Sequence, residues 1–147
     1  MKALVVFESA SLPTKMIAAM VSKGMEEFGQ IERSDVTSAP EAIPNDLNLL
    51  VVGTGGGDGQ KALMKWLDAV RVPLGCSAVA YDTRVKKPLL GDTASRTIEK
   101  RLGQIGLRVS APAEGFMVDA GTGNLVAGET VRAVRWGATV GAPFKNR

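Results

Sequence analysis

Short apolar runs alternating with helical stripes constrain this chain more than any other feature. Ala3 to Phe7, Leu47 to Val52 and Ala78 to Tyr81 are nearly unbroken apolar stretches bounded by polar residues, the pattern of strands covered on both faces. Ile17, Met20, Val21, Gly24, Met25 and Phe28 draw one stripe on a helix after the first run, because their spacings alternate between three residues and one. Further stripes fall at Leu63, Trp66, Leu67 and Val70, at Ala94, Ile98, Leu102 and Ile105, and at Val131, Val134 and Ala138. Ile31 to Val36 alternates and is more polar, as an edge strand with one wet side would be. The fifth strand is read as Arg108-Val109-Ser110 or Gly115 to Val118, with Ala111-Pro112-Ala113 between them as a small excursion. Strand and helix in alternation imply an α/β fold, an open doubly wound parallel sheet with right-handed crossovers. Ligands on such sheets bind outside the carboxyl ends of the strands, which directs attention to the loops after Phe7, Val52 and Tyr81.

A length of 147 residues suits one domain spanning 1–147, so separate cofactor and substrate lobes are not expected. With 45% hydrophobic and 22% charged residues the chain is a globular one, not a disordered or collagen-like one. It has no histidine, which removes imidazole bases, Ser-His-Asp and Cys-His nucleophile systems and the commonest zinc ligand. The single cysteine, Cys76, lies in an apolar-flanked run and is expected to pack in the core, having no second thiol or imidazole to activate it. No apolar run approaches the roughly 20 residues that span a bilayer, and Met1-Lys2 leads straight into the first strand. A cytoplasmic location is expected. The net charge of +3 is spread along the chain, whereas nucleic-acid binders gather theirs into a patch or arm. The densest basic group, Arg84, Lys86 and Lys87, is read as a solvated loop or as a contact for an anion or acidic partner.

The loop after the first strand, Glu8-Ser9-Ala10-Ser11-Leu12-Pro13-Thr14-Lys15, is rich in hydroxyls and opens onto a helix. Free amides at a helix N-terminus favour an anion and Ser or Thr hydroxyls add donors to a phosphate; Ser11 or Thr14 also suits a plain N-cap. Pro13 withdraws one N–H while fitting the first helical turn. After the third strand, Gly53-Thr54-Gly55-Gly56-Gly57-Asp58-Gly59 has five glycines in seven positions. Such a strip of backbone either approaches a flat ligand closely or turns a corner, and it matches neither a P-loop nor a dinucleotide fingerprint. Trp66, on its helical stripe, is read as core. The third loop begins at Tyr81, the only tyrosine, and runs through Asp82, Thr83 and Arg84 to Gly91. Glu8, Asp58 and Asp82 share this edge, but their spacing matches no metal motif. Glu129 opens the last helix, where the dipole favours a carboxylate, and Trp136 beside the last stripe is read as packing.

Lys2 to Val21, with Lys-Ala-Leu-Val-Val-Phe-Glu-Ser followed by Thr-Lys-Met-Ile-Ala-Ala-Met-Val, resembles the opening of the flavodoxin family, especially its short single-domain actinobacterial members. Tyr81-Asp82-Thr83-Arg84 is similar to that subgroup's Phe-Asp-Thr-Arg strand end, and Gly91 to Arg96 with Arg101-Leu102 and Gly106 to its next helix. Gly115 to Val118, Gly123-Asn124-Leu125, Gly128-Glu129, Arg132-Ala133 and Trp136-Gly137 resemble its C-terminal signature. The resemblance implies five strands in the order 2-1-3-4-5, with FMN at the switch point. It implies that the first loop cradles the FMN phosphate: Ser9, Ser11 and Thr14 stand at the hydroxyl positions of the Ser/Thr-x-Thr-Gly-x-Thr pattern and Ala10 at its first variable one. Leu12 stands where the family has glycine, and Pro13 at a variable position that is often Asn. Thr54, Gly55, Gly56 and Gly57 would wrap the isoalloxazine, though without the aromatic that flavodoxins place there. Tyr81 would stack on the other face or else be the buried end of its strand. Asp82 and Thr83 would meet the polar ring edge, and Arg84 would balance negative charge.

The expected function is therefore an FMN-binding electron-transfer protein, a carrier rather than an enzyme with its own substrate, with the flavin supplying the redox chemistry. The alternative is a flavodoxin-fold binding or regulatory module that has lost flavin, since fold alone does not fix function. The altered phosphate loop, the missing aromatic and the basic balance favour it. An FMN-dependent oxidoreductase is a third reading, for which the short third loop leaves little room for a lid. Flavodoxins are acidic where this chain is +3, so a redox partner is expected to present an acidic or neutral surface.

Overall fold

A computed structural model of the chain describes residues 1–85 and 92–146. Lys86 and Lys87 of the basic group, and the third loop from Lys86 to Gly91, lie outside the described residues. The chain order is β1 (Lys2–Phe7), α1 (Leu12–Met25), β2 (Gln30–Asp35), β3 (Leu49–Thr54), α2 (Gly57–Ala69), β4 (Ser77–Arg84), α3 (Ala94–Gln104), β5 (Arg108–Val109), β6 (Glu114–Met117) and α4 (Glu129–Gly141). Phe28 ends a short 3-10 turn after α1 instead of extending the helix.

All strand pairs are parallel, in the order β2-β1-β3-β4-β5, with β6 also on β4. Both readings of the fifth strand are present, as two halves of one edge position. β5 pairs with Ser77 and Ala78, β6 with Tyr81 to Arg84, and Ala111-Pro112-Ala113 bulges between them. Proline has no N–H to give a ladder, so the excursion falls where the sequence carries Pro112.

Alternate residues of the central strands enter two cores. Val5, Phe7, Leu49, Val51, Val79 and Tyr81 pack under α1 and α4. Leu4, Val6, Leu50, Val52, Ala78 and Ala80 pack under α2 and α3, and buried Cys76 joins them. The buried stripe of α4 is Ala133, Trp136, Gly137 and Val140, not Val131, Val134 and Ala138: Val131 is 54% exposed. The displacement has a cause in the helix pair. A Cβ on Gly137 would lie 2.2 Å from the Val21 carbonyl of α1, and one on Gly24 would lie 2.0 Å from the Val134 carbonyl of α4. Two glycines thus let α1 and α4 touch backbone to backbone, and Ala133 and Gly137 share the inner face of α4 with Trp136 and Val140. No helix among the described residues is long and apolar enough to cross a membrane.

Candidate functional site

The carboxyl ends of β1, β3 and β4 bring together the loop from Glu8 to Ser11, Thr54 to Gly56, and Asp82 with Thr83. α1 begins at Leu12, with Ser11 as its N-cap in an extended conformation, and Pro13 occupies the first turn. Ser11 makes no side-chain cap, so its hydroxyl remains for other contacts. Leu12, in the glycine position of the family pattern, is 66% exposed.

Glu8 organises the centre of the site. Its side chain is buried, and each carboxylate oxygen takes one loop amide: the Ala10 N–H donates to Oε2 at 3.0 Å and the Gly55 N–H to Oε1 at 2.5 Å. The Thr54 hydroxyl donates to Oε1 at 3.5 Å and itself accepts the Gly56 N–H at 3.0 Å. A Cβ on Gly59, in the first turn of α2, would fall 2.1 Å from Glu8 Oε2, and one on Gly55 would fall 3.2 Å from Oε1. The carboxylate therefore sits against the N-terminal turn of α2, where the helix dipole favours an anion. Gly56 and Gly57 have φ of 84° and 61°, left-handed values that suit glycine. The glycine run thus divides its work: Gly55 and Gly59 admit Glu8, while Gly56 and Gly57 turn the chain directly from β3 into α2.

Around this centre the threonine hydroxyls are engaged. Thr14 and Thr83, both buried, share a hydrogen bond at 2.8 Å between their Oγ1 atoms, and the Tyr81 hydroxyl donates to the Thr14 carbonyl at 2.8 Å. Ser9 is exposed; beside it burial pushes the Asp35 carboxyl up, but Ser9, the Thr37 amide and hydroxyl, which both donate to Oδ1 at 2.9 Å, and the Lys15 charge together hold it below its ordinary value. Tyr81 is fully buried, edge to face with Phe116 and Trp136 at centroid distances of 6.0 and 6.2 Å. Burial, and after it the negative charge of Glu8, push its phenol up. Its ring is thus the buried end of β4 and presents no face to a flavin, and a Cβ on Gly53 would lie 2.0 Å from its Cζ.

Asp82 and Arg84 face the other side of the sheet. Asp82 Oδ2 accepts the Ser95 N–H at the start of α3 at 2.8 Å, and its Oδ1 lies 3.4 Å from Arg84 Nε. The Arg84 guanidinium lies over Gly115 of β6, where a Cβ would come 1.9 Å from Nη2, so it is turned along the sheet edge. Asp58, in contrast, is solvent-facing and 3.6 Å from Lys61. Glu8, Asp58 and Asp82 do not converge, and no group of three or more His, Cys, Asp or Glu side chains suited to a metal occurs among the described residues.

The FMN implied by the resemblance can be tested against these donors. The Ala10 and Gly55 amides are on Glu8, the Thr14 hydroxyl is paired with Thr83, and Pro13 has no N–H, which leaves the exposed Ser9 and the uncapping Ser11 as the hydroxyls of the loop. A phosphate entering here would meet a buried carboxylate of its own sign. The ring fares no better: β3 and α2 are joined by Gly55 and Gly56 alone, and Tyr81 is in the core. Among the described residues, the Ala10 and Gly55 amides, the Thr14 hydroxyl and the Tyr81 ring are not open to FMN in this arrangement. The role of Glu8 was missing from the sequence reading; the signal was a carboxylate at the end of a buried strand together with glycines at two positions four residues apart, Gly55 and Gly59.

Beside the site, Leu12, Pro13 and Met16 of α1 and Leu125 and Val126 of the loop before α4 line a shallow groove of about 240 Å³. Leu12, Met16 and Val126 are exposed.

Comparison of the fold with solved structures finds flavodoxins. Oxidised flavodoxin 1 from Bacillus cereus superposes with a TM-score of 0.75 at 17% identity, over 95% of this chain and 97% of that one. A flavodoxin from the domain Archaea gives 0.75 at 16% identity over 99% and 100% of the two chains, and a Streptococcus pneumoniae flavodoxin gives 0.73 at 16% over 97% and 99%. No protein-family model and no curated protein matches the sequence. The chain has the flavodoxin fold, with the sheet order 2-1-3-4-5 and helices on both faces.

Proposed function

We propose that this chain is a flavodoxin-fold docking module that works without resident FMN. The carrying observation is the connection from β3 to α2: two glycines, no more, separate Thr54 from Gly57. A tricyclic ring needs a wall there, and the aromatic nearest along the sheet, Tyr81, is packed between Phe116 and Trp136. The working surface is then the carboxyl edge itself, with exposed Leu12, Met16 and Val126. On a chain of net charge +3, such a surface suits a protein partner whose docking face is acidic or neutral, because complementary charge favours the right encounter and opposes the wrong one. The same reading places the protein in the cytoplasm, among the short single-domain actinobacterial flavodoxin-like proteins whose segments it resembles.

The flavodoxin neighbours support a second reading, an FMN-binding carrier that passes electrons between proteins. In that case the flavin would supply the redox chemistry and the protein its access and potential, and Glu8 would have to leave the loop amides. Visible absorbance of the purified protein, followed by titration of FMN fluorescence, decides between them. The docking module shows no bound flavin and no saturable quenching at millimolar FMN. A yellow protein, or saturable quenching, overturns the flavin-free module, and reduction by a reductase without a small-molecule acceptor then marks the carrier.

A further inference from the structure

The self-contained contacts of Glu8 carry a sharper conclusion than the absence of a ring wall. Amides exposed at a helix N-terminus and its neighbouring loop make an anion site, and here amides from two loops, after β1 and after β3, converge on one group. That group is a side chain of the protein. Its two oxygens take one amide each, it is 2% exposed, and Gly59 and Gly55 lie so close that no further atom fits between carboxylate and helix. We infer that Glu8 is an internal substitute for a phosphoryl group: it fills the amide pocket at the ends of β1 and β3, bars phosphate monoesters from it, and leaves the pocket able to take one once the side chain is removed. This deepens the FMN-free reading by naming the residue that sets the site's preference among anions.

Glycine is the informative replacement, since Glu8→Gly deletes the carboxylate and frees both amides. Glu8→Gln keeps the volume and removes the charge. The full chain, in each form, is titrated with inorganic phosphate, FMN and riboflavin, followed by thermal shift and flavin fluorescence. The wild type is expected to gain no stability from phosphate and to make no distinction between FMN and riboflavin. Glu8→Gly is expected to melt lower in phosphate-free buffer, to recover on adding phosphate, and to bind FMN at least about tenfold more tightly than the wild type does, the factor expected of a charge-assisted hydrogen bond. Riboflavin binding is expected to stay as it was. Glu8→Gln, still filling the pocket, stays insensitive to phosphate.

Two results overturn the inference: a wild type that phosphate stabilises or that prefers FMN to riboflavin tenfold, and a folded Glu8→Gly chain that gains nothing for phosphate or FMN. The first of these needs no variant and overturns the inference even if Glu8→Gly does not fold; in that case Glu8→Ala, which also frees both amides, is read in its place, and its failure to gain from phosphate or FMN overturns the inference as well. A wild type that binds FMN and riboflavin equally well would sink the FMN-free reading and leave the role of Glu8 standing.

Discussion

A buried carboxylate holds its place only where hydrogen bonds replace the water it has lost, and Glu8 has both its oxygens so provided. The neighbouring glycines are part of that provision. Replacing Gly59 by Ala puts a Cβ 2.1 Å from Glu8 Oε2, so the carboxylate must move off its amides or the helix must shift. We expect Gly59→Ala to lower stability by about 1–3 kcal/mol, as overpacking of a tight site does, read from the midpoint of denaturant unfolding. An unchanged midpoint would mean that the carboxylate moves freely. The sequence shows why this was hard to see. Five glycines in seven positions look like a strip for a flat ligand, and a glutamate at a strand end looks solvated. The amide that orders Glu8 belongs to Gly55, brought to it only by the β1–β3 pairing. Thr14 was legible as a polar residue at the right edge, but its partner, Thr83, is likewise contributed by a distant strand.

At the scale of elements, the pairing of helices depends on which glycines face what. Gly137 meets the Val21 carbonyl and Gly24 the Val134 carbonyl, and backbone cannot swing aside as a side chain can. Gly103, in the last turn of α3, has nothing within 4 Å of its missing Cβ. Gly137→Ala is therefore expected to destabilise by about 1–3 kcal/mol, while Gly103→Ala stabilises by up to about 0.5 kcal/mol through helix propensity alone, less than in a helix interior. Thermal melts of the two variants, moving in opposite directions, check the assignment. Element types and their order were legible because buried parallel strands and amphipathic helices leave different periods. The face of α4 was not, since counting large apolar residues overlooks a stripe that Ala133 and Gly137 share with Trp136 and Val140.

For the molecule as a whole, acid is the condition most directly tied to named contacts. Glu129 is held below the ordinary carboxylate range chiefly by its hydrogen bond with Arg132, with burial opposing and the Met117 amide and the Arg132 charge assisting. Arg132 also donates to the Gly115 carbonyl and lies 4.4 Å from the Phe116 ring centre, so the pair fastens α4 to β6. A carboxyl lowered on folding binds fewer protons folded than unfolded, so its stabilisation is present above the unfolded carboxylate pKa and is lost as pH falls through the folded one. Asp35 has the same sign. Stability of the wild type is expected to decline as pH drops through and below the carboxylate range, and Arg132→Met to flatten that decline; parallel curves for the two would remove Glu129 as a cause.

The glycine contact between α1 and α4 also orders events in time. α1 follows β1, and the helix that covers its Gly24 face is synthesised only after all six strands. Until then Ile17, Val21 and Met25 face no α4, and the nascent sheet lacks one of its two covers. Domains synthesised in this way complete their folding late and expose apolar surface meanwhile. A chain stalled before Glu129 is thus expected to be captured by chaperones or degraded, whereas one that includes α4 closes this face as that helix docks on α1.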